Sequence, residues 1–379
     1  MTDCKDFLPM HTPTPIPGSS KPLILLSRLL FPGRASEEYA SISEELAAEL
    51  TRISRKEFDE LLALAQSNHV IVRGLDVAVN ILRKAQDEVR VEWATTALAA
   101  ERARIEHAAS FLHAICAAFG EAGYDATVIK SLDHWPDLGS DLDLYTNTSA
   151  EKVVALFTKR FQAQVASRSW GDRLACKWNF VIPGLPESVE FHIRRLGQTG
   201  EQIALAASIP GRARQVRIGD LTFPVAAVSD RLMISTLQRM YRHFYFRLCD
   251  IVDTVELYEA NAIEYEELRS SAIASGIWEG VATYLAIVSN YVKQYQGTGL
   301  DFPRFVTDAA QFGGDQVYFS GDFLRVPIMP QSVRLYGTQL TGLLRKRQLH
   351  STARLSLLPW LATAAAVGQK ITGSDKGIW

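Results

Sequence analysis

Cysteine is scarce in this chain: Cys4, Cys116, Cys176 and Cys249 are spread over 379 residues, with no CxxC or Cys/His ligand spacing. That pattern excludes a disulfide framework and implies no structural zinc. It fits a reducing cytoplasm, with Cys116 and Cys249 as small apolar fillers. A dominant charge is lacking as well. Lys and Arg number 40 against 42 Asp and Glu, a net charge of −2, so no global basic field draws in nucleic acid. The opening MTDCKDFLPMHTPTPIPG has no basic stretch leading into an apolar run, which argues against a signal peptide; its Pro and Thr content reads as a loosely ordered leader. No internal repeat is visible. Nor is there an uncharged run of the roughly 20 residues that a membrane-spanning helix needs. The nearest candidate, Leu355 to Gly368, is shorter, contains Pro359 and follows the basic Arg345, Lys346 and Arg347. It reads first as a buried terminal helix and second as a peripheral membrane contact through 345–368.

The remaining pattern divides the chain into four. Residues 1–35 form the leader. Residues 36–120 are helical in period, with Leu46, Leu50, Ile53, Phe58, Leu61, Leu62 and Leu64 at helix-compatible intervals. Ser54 followed by Glu57 marks a capping box, and Gly120 with Gly123 a helix stop. Residues 121–227 change to period two. ATVIK, DLDLYT, Ala175–Ile182 and Ser188–Arg194 read as strands, Ala150–Phe161 as a helix, and VRIGDLTFPVA as a further strand pair. Residues 228–379 return to helix, with DRLMISTLQRMYRHFYFRLCDIVDTVELYE read as helical throughout. The expected fold class is α+β: a small mixed-sheet core flanked by N- and C-terminal helical regions.

Chemistry concentrates in the period-two unit. Alternation on a strand puts Asp141 and Asp143 on one face and sends Leu142 and Leu144 into the core. No Lys or Arg adjoins the two carboxylates in sequence, so an oxygen-loving divalent cation is the natural compensator. In SVEFHIRR, Glu190 and His192 alternate with Val189, Phe191 and Ile193, which turns Glu190 outward as a third carboxylate. Three convergent carboxylates can hold two Mg²⁺ ions, with Mn²⁺ as the alternative, and Glu190 could also take a proton. From Glu151 to Gly219 there are eleven Lys or Arg against five Asp or Glu, a local field suited to a polyphosphate. A bare DxD is a weak signal, since exposed acidic residues on strands are common. The third carboxylate, the polar loop and the local basic excess strengthen it.

These residues resemble the nucleotidyltransferase superfamily of polymerase-beta-like and aminoglycoside-modifying enzymes, and within it the uncharacterised bacterial nucleotidyltransferases with helical segments on both sides. The likeness rests on VIKS (Val128–Ser131), DLDL (Asp141–Leu144), EFH (Glu190–His192) and FRLCDIVD (Phe246–Asp253), and extends from about Glu45 to Asn290. It implies a cytoplasmic, Mg²⁺-dependent enzyme that moves a nucleoside monophosphate from a nucleoside triphosphate to an acceptor, a small molecule ahead of RNA or protein, releasing pyrophosphate. Asp141, Asp143 and Glu190 would be the catalytic and metal residues, and Lys130, Ser131, Ser140 and Arg247 would contact the nucleotide. His192, His243 and Asp250 would support them, the last two sharing one stripe of a helix with Arg247. The family pattern has glycine where this chain has Ser131, at a turn where backbone N–H groups approach phosphate. That departure favours the alternative of an inactive relative serving as a nucleotide sensor or assembly partner. A third reading, from 355–368, is a membrane-surface protein of cell-envelope polysaccharide synthesis.

Overall fold

The computed structural model describes residues 16–32, 44–361 and 363. Its first element corrects the reading of 1–35 as a loose leader, as far as the described residues reach. KPLILLSRLL forms helix α1 (Lys21–Leu30), opened by the Ser20 hydroxyl, which accepts from the Leu23 N–H. Leu23, Leu26 and Leu29 lie at helical spacing and are buried, so apolar period outweighs the Pro-rich approach. Ser27 on α1 meets the buried Tyr291 hydroxyl at 2.6 Å, fastening this helix to a much later one.

Helices α2 (Arg55–Ser67), α3 (Ile71–Lys84) and α4 (Glu88–Glu121) follow. The Ser54–Glu57 capping box is formed in both directions, which fixes where α2 begins. The long α4 buries Leu98, Ile105, Leu112, Ile115 and Phe119 along one stripe and ends just before Gly123, whose φ is +71°.

Strands β1 (Thr127–Val128), β2 (Asp141–Thr146), β3 (Gln164–Val165), β4 (Lys177–Val181), β5 (Ser188–Ile193), β6 (Arg214–Ile218) and β7 (Leu221–Val225) form a sheet in the order β3-β4-β5-β2-β1-β7-β6. It is mixed: β2 runs parallel to β5 and β1 to β7, while the other pairs are antiparallel. Helix α5 (Ala150–Phe161) supplies Phe157, which packs with Phe119 of α4, Phe180 of β4 and Phe191 of β5. This aromatic layer seals one sheet face. Fully burying such side chains contributes about 1.5–3 kcal/mol each, so this face is the folding core and the opposite face is left for polar groups. Between β5 and β6 the chain forms α7 (Ile203–Arg212), and before β4 it forms α6 (Trp170–Ala175); neither helix was expected.

The uninterrupted helix expected after residue 228 is also corrected. Helix α8 (Val228–Gln238) passes into a π-helical turn, Arg239–His243, and ends at Phe244 with φ +54°. Tyr245–Phe246 is then a strand, β8, and helix starts again as α9 (Leu248–Glu259). β8 pairs with β10 (Phe323–Arg325), which pairs with β9 (Tyr318–Ser320). The cause is tertiary: in β8 Phe246 becomes fully buried against Tyr284, and the hairpin satisfies the freed backbone groups. Helices α10 (Tyr265–Ser275) and α11 (Trp278–Gln296) complete the body against α8 and α9.

Among the described residues, no helix is long and apolar enough to cross a membrane. The buried terminal helix expected from Leu355 is only partly observed: Leu355 is buried, whereas Leu357 and Trp360 are exposed. Residues 362 and 364–368 of that run lie outside the described residues.

One acidic side chain ties the helices to the sheet. Asp137, in the loop between β1 and β2, accepts from the N–H groups of Val72 and Arg73 at 2.6 and 3.2 Å, and so caps α3 from a distance. Replacing Asp137 with Ala is expected to destabilise the fold by about 0.5–2 kcal/mol, the scale of a lost N-cap. Asp137→Asn, which keeps one acceptor, should cost less, and urea denaturation followed by circular dichroism measures both.

Candidate functional site

On β2, Leu142 and Leu144 are fully buried while Asp141 and Asp143 share the other face, Asp141 at the rim. The parallel register sets Asp143 beside Glu190 and Tyr145 beside His192; the antiparallel β4 adds Asn179 next to Glu190 and Lys177 next to His192. Glu190 and Asp143 are therefore lateral neighbours about 5 Å apart by strand spacing. At that distance two ionised carboxylates in an effective dielectric near 20 repel by roughly 3 kcal/mol.

The described residues answer that repulsion with ammonium groups. Lys130 Nζ lies 2.5 Å from Asp143 Oδ1 and 3.6 Å from Glu190 Oε1. Lys177 Nζ lies 2.6 Å from the same Glu190 oxygen, and His192 Nε2 is 2.8 Å from it. Both lysines reach the site through strand pairing and a loop, so adjacency in sequence could not reveal them. Lys130 gives its ammonium group to Asp143, not to Asp133 or Asp137 of the loop it begins. Instead Asp133 pairs with Arg231 at 2.5 Å, and Asp137 caps α3.

Burial sets the titration of each group against its partners. It pushes Asp143 up to about 7, even against the Lys130 ammonium. Burial would raise Glu190 too, but Lys177 and Lys130 outweigh it and hold that carboxyl well below its usual range. Burial, then Arg242, press Lys177 down to about 8. Burial and Lys177 push His192 down to about 3, so its ring is neutral. Asp141 is raised by partial burial and by the Glu190 charge.

Asp143, Glu190 and His192 each bring a ligand atom to within 4.8 Å of the others, a spacing one cation could bridge. Asp141 lies outside that close group, so the expected trio of Asp141, Asp143 and Glu190 is only partly assembled, and His192 stands nearer than the first aspartate. Oxygen donors with one imidazole suit a divalent ion, yet Lys130 and Lys177 already lie against Asp143 and Glu190. An ion entering here competes with those ammonium groups.

The residues expected to hold nucleotide are divided. The Ser131 hydroxyl accepts from the Asp143 N–H at 2.7 Å and donates to the Asp141 carbonyl at 3.3 Å, so it pins β2 and is buried away from any ligand. Ser140 is exposed beside Asp141, 3.4 Å from its Oδ2. Arg247 does not follow His243 along a helix, because the π turn and β8 separate them. It precedes α9, where its N–H donates to Asp250, and its guanidinium donates to His69 Nε2 at 2.6 Å. Asp250 pairs with Arg239 at 2.7 Å, both buried. His243 is held well below its usual range by burial and by Arg242, Arg239, Lys177 and Lys130, which places it in the same positive surroundings as the site.

A second cluster escaped the sequence reading. Cys249, read as a filler, is indeed fully buried, but its Sγ lies 3.8 Å from His134 Nε2. His134 Nδ1 is 2.5 Å from Asp253, whose other oxygen takes Arg73 at 2.8 Å. Burial pushes the Cys249 thiol up. His134 lies in the loop between β1 and β2, and only tertiary folding brings it to α9.

Compared with protein-family models, curated proteins and solved structures, the chain matches none. The assignment of function therefore rests on these residues.

Glu190→Gln is expected to leave Lys177 buried without its anion and to cost roughly 3–5 kcal/mol, the scale for breaking a buried pair from one side. The double variant Glu190→Gln with Lys177→Met should recover much of that loss. Chemical denaturation of the two single variants and the double variant tests the coupling.

Proposed function

We propose that the chain is a Mg²⁺-dependent nucleotidyltransferase, passing a nucleoside monophosphate from a nucleoside triphosphate to an acceptor with release of pyrophosphate. One observation carries the reading: the β2–β5 register brings Asp143 and Glu190 side by side, with Asp141 and His192 on the same face. The neighbourhood of Lys130, Lys177 and Arg242 supplies the positive charge that a polyphosphate requires. The resemblance in VIKS, DLDL and EFH agrees, and the mixed sheet between helical regions is compatible with a nucleotidyltransferase core.

Asp143 and Glu190 would hold the metal, His192 beside them and Asp141 at the rim; when bound, the ion polarises phosphoryl oxygens and offsets charge as it develops. Lys130, drawn off Asp143, would turn to a phosphate. Glu190, kept ionised by two ammonium groups, is a weak proton acceptor and serves better as an anchor than as a base. Ser131, committed to β2, leaves phosphate contact to Lys130, Ser140 and backbone N–H groups.

A second reading is favoured by the ion pairs themselves. With Lys130 and Lys177 on the carboxylates, the face is neutralised without metal, as suits a protein that binds nucleotide without turnover. Both readings meet one assay. With a nucleoside triphosphate, Mg²⁺ and a panel of small acceptors, pyrophosphate release is expected, stopped by EDTA. Asp143→Asn should reduce it at least about a hundredfold, as for other groups that stabilise developing charge. Calorimetric nucleotide binding with no pyrophosphate from any acceptor would instead establish the sensor.

A separate proposal concerns the C-terminal surface. Between Asp322 and Asp375 the chain has no acidic residue, while Arg345, Lys346 and Arg347 are exposed, as are Leu344, Leu349, Leu357 and Trp360. Basic and apolar groups together suit an anionic lipid surface. Co-sedimentation with phosphatidylserine vesicles is expected, weak with phosphatidylcholine alone and weakened by Leu349→Asp with Trp360→Asp. Equal binding by that variant overturns it.

A further inference from the structure

Beside the Asp143–Glu190 pair the sheet face continues into a cavity of about 40 Å³. Lys177 and His192, register neighbours on β4 and β5, line it together with Lys130. Gln198, from the segment after β5, and Arg242, from the π turn after α8, also line it. The volume admits about three water-sized probes, room for a group of a few heavy atoms and too little for a sugar or a base.

Two of its lining side chains carry buried polar atoms without partners. Gln198 is 3 % exposed, and neither its amide nitrogen nor its amide oxygen has a hydrogen-bond partner. Buried polar groups are otherwise paired almost without exception. His192 is in the same condition at its second nitrogen: Nε2 meets Glu190, while Nδ1 is buried without a partner. A carboxylate only accepts, so the Nε2 proton is committed to Glu190 and Nδ1 is the ring atom left without a partner. The cavity is thus lined by three cationic side chains and by two side chains with buried, unpaired polar atoms, Gln198 and His192, while Leu196, Ile234 and Leu237 make part of the wall apolar.

We propose that this cavity is a binding subsite for a small tetrahedral oxyanion, a phosphate group above all, carried by the acceptor substrate. Phosphate matches the inventory: three terminal charged oxygens, tetrahedrally disposed, for Lys177, Lys130, Arg242 and the Gln198 amide N–H₂. A carboxylate offers only two, in one plane. An apolar group leaves the Gln198 amide and His192 Nδ1 unmet.

The identification of the phosphate as the acceptor's rests on the transferase reading. Binding of the oxyanion itself needs neither metal nor turnover, which separates the two claims experimentally.

The test uses the full chain in EDTA, titrated with inorganic phosphate and with phenyl phosphate, and followed by calorimetry and ³¹P line broadening. Saturable binding of phosphate is expected at millimolar concentration or below, with Gln198→Met, close in shape and without the amide, weaker by at least about tenfold. Denaturation curves establish that the variant is folded. If that substitution compromises folding, competition between phosphate and sulfate for the unaltered protein, and protection of Lys177 from amine acylation by phosphate, give the same information. Binding of phenyl phosphate as well as free phosphate assigns the site to a phosphate-bearing acceptor, whereas free phosphate alone makes it an inorganic phosphate site and removes the acceptor claim. No saturable binding, or equal binding by Gln198→Met, overturns the subsite and leaves the cavity to water. Pyrophosphate release without phosphate binding sinks this inference alone; phosphate binding without pyrophosphate release sinks the transferase reading alone.

Discussion

The parallel pairing of β2 with β5 is the constraint on which the polar half of this protein depends. It places Asp143 and Glu190 on adjacent strands in one row, where they repel unless something positive intervenes. Lys130 and Lys177 intervene, one from the end of a strand and loop, the other from β4. Everything around the row follows from holding those ammonium groups in place. Ser131 locks the loop to β2, Asp137 locks the same loop to α3, and Arg231 takes Asp133. The opposite sheet face can then be largely apolar, filled by Phe119, Phe157, Phe180 and Phe191.

This arrangement has opposing consequences for chemistry. Paired charges make the site stable without an ion, and the same pairs compete with any ion that enters. A cation gains the two carboxylates only by releasing lysines, and released lysines are the groups a phosphate needs. Metal and phosphate binding would therefore be coupled through Lys130 and Lys177, each partner making room for the other. The cavity beside Gln198 shares Lys130 and Lys177 with the carboxylates, so a ligand reaching into it competes with Asp143 and Glu190 for the same ammonium groups.

Much of the central unit was legible in the residues. The DLDLYT strand and the helix from Ala150 to Phe161 have the bounds that period and flanking polar residues indicated, because both signals are local. Glu190 faces the aspartates, as alternation required. Lys177 was missed although KWNFV carries the signal: Lys177 and Asn179 alternate with Trp178 and Phe180, as Glu190 does with its neighbours. The break between α8 and α9 left no such mark. RMYRHFYFRL has ample helix-compatible apolar residues, and only pairing with a hairpin some eighty residues onward turns part of it into strand. Arg247 thereby parts from His243 and joins His69.

By itself the sequence determined which residues face together within one element, since strand and helix periods are properties of the local backbone. It set Asp141 with Asp143, Glu190 with His192, and the capped start at Ser54. Tertiary structure decided which of those faces meet, and hence what compensates each charge. A carboxylate on a strand carries no record of whether its partner is a metal or a lysine. That choice is made by register, by the loop from Lys130 to Ser140, and by burial, all of which depend on contacts between residues far apart in the chain.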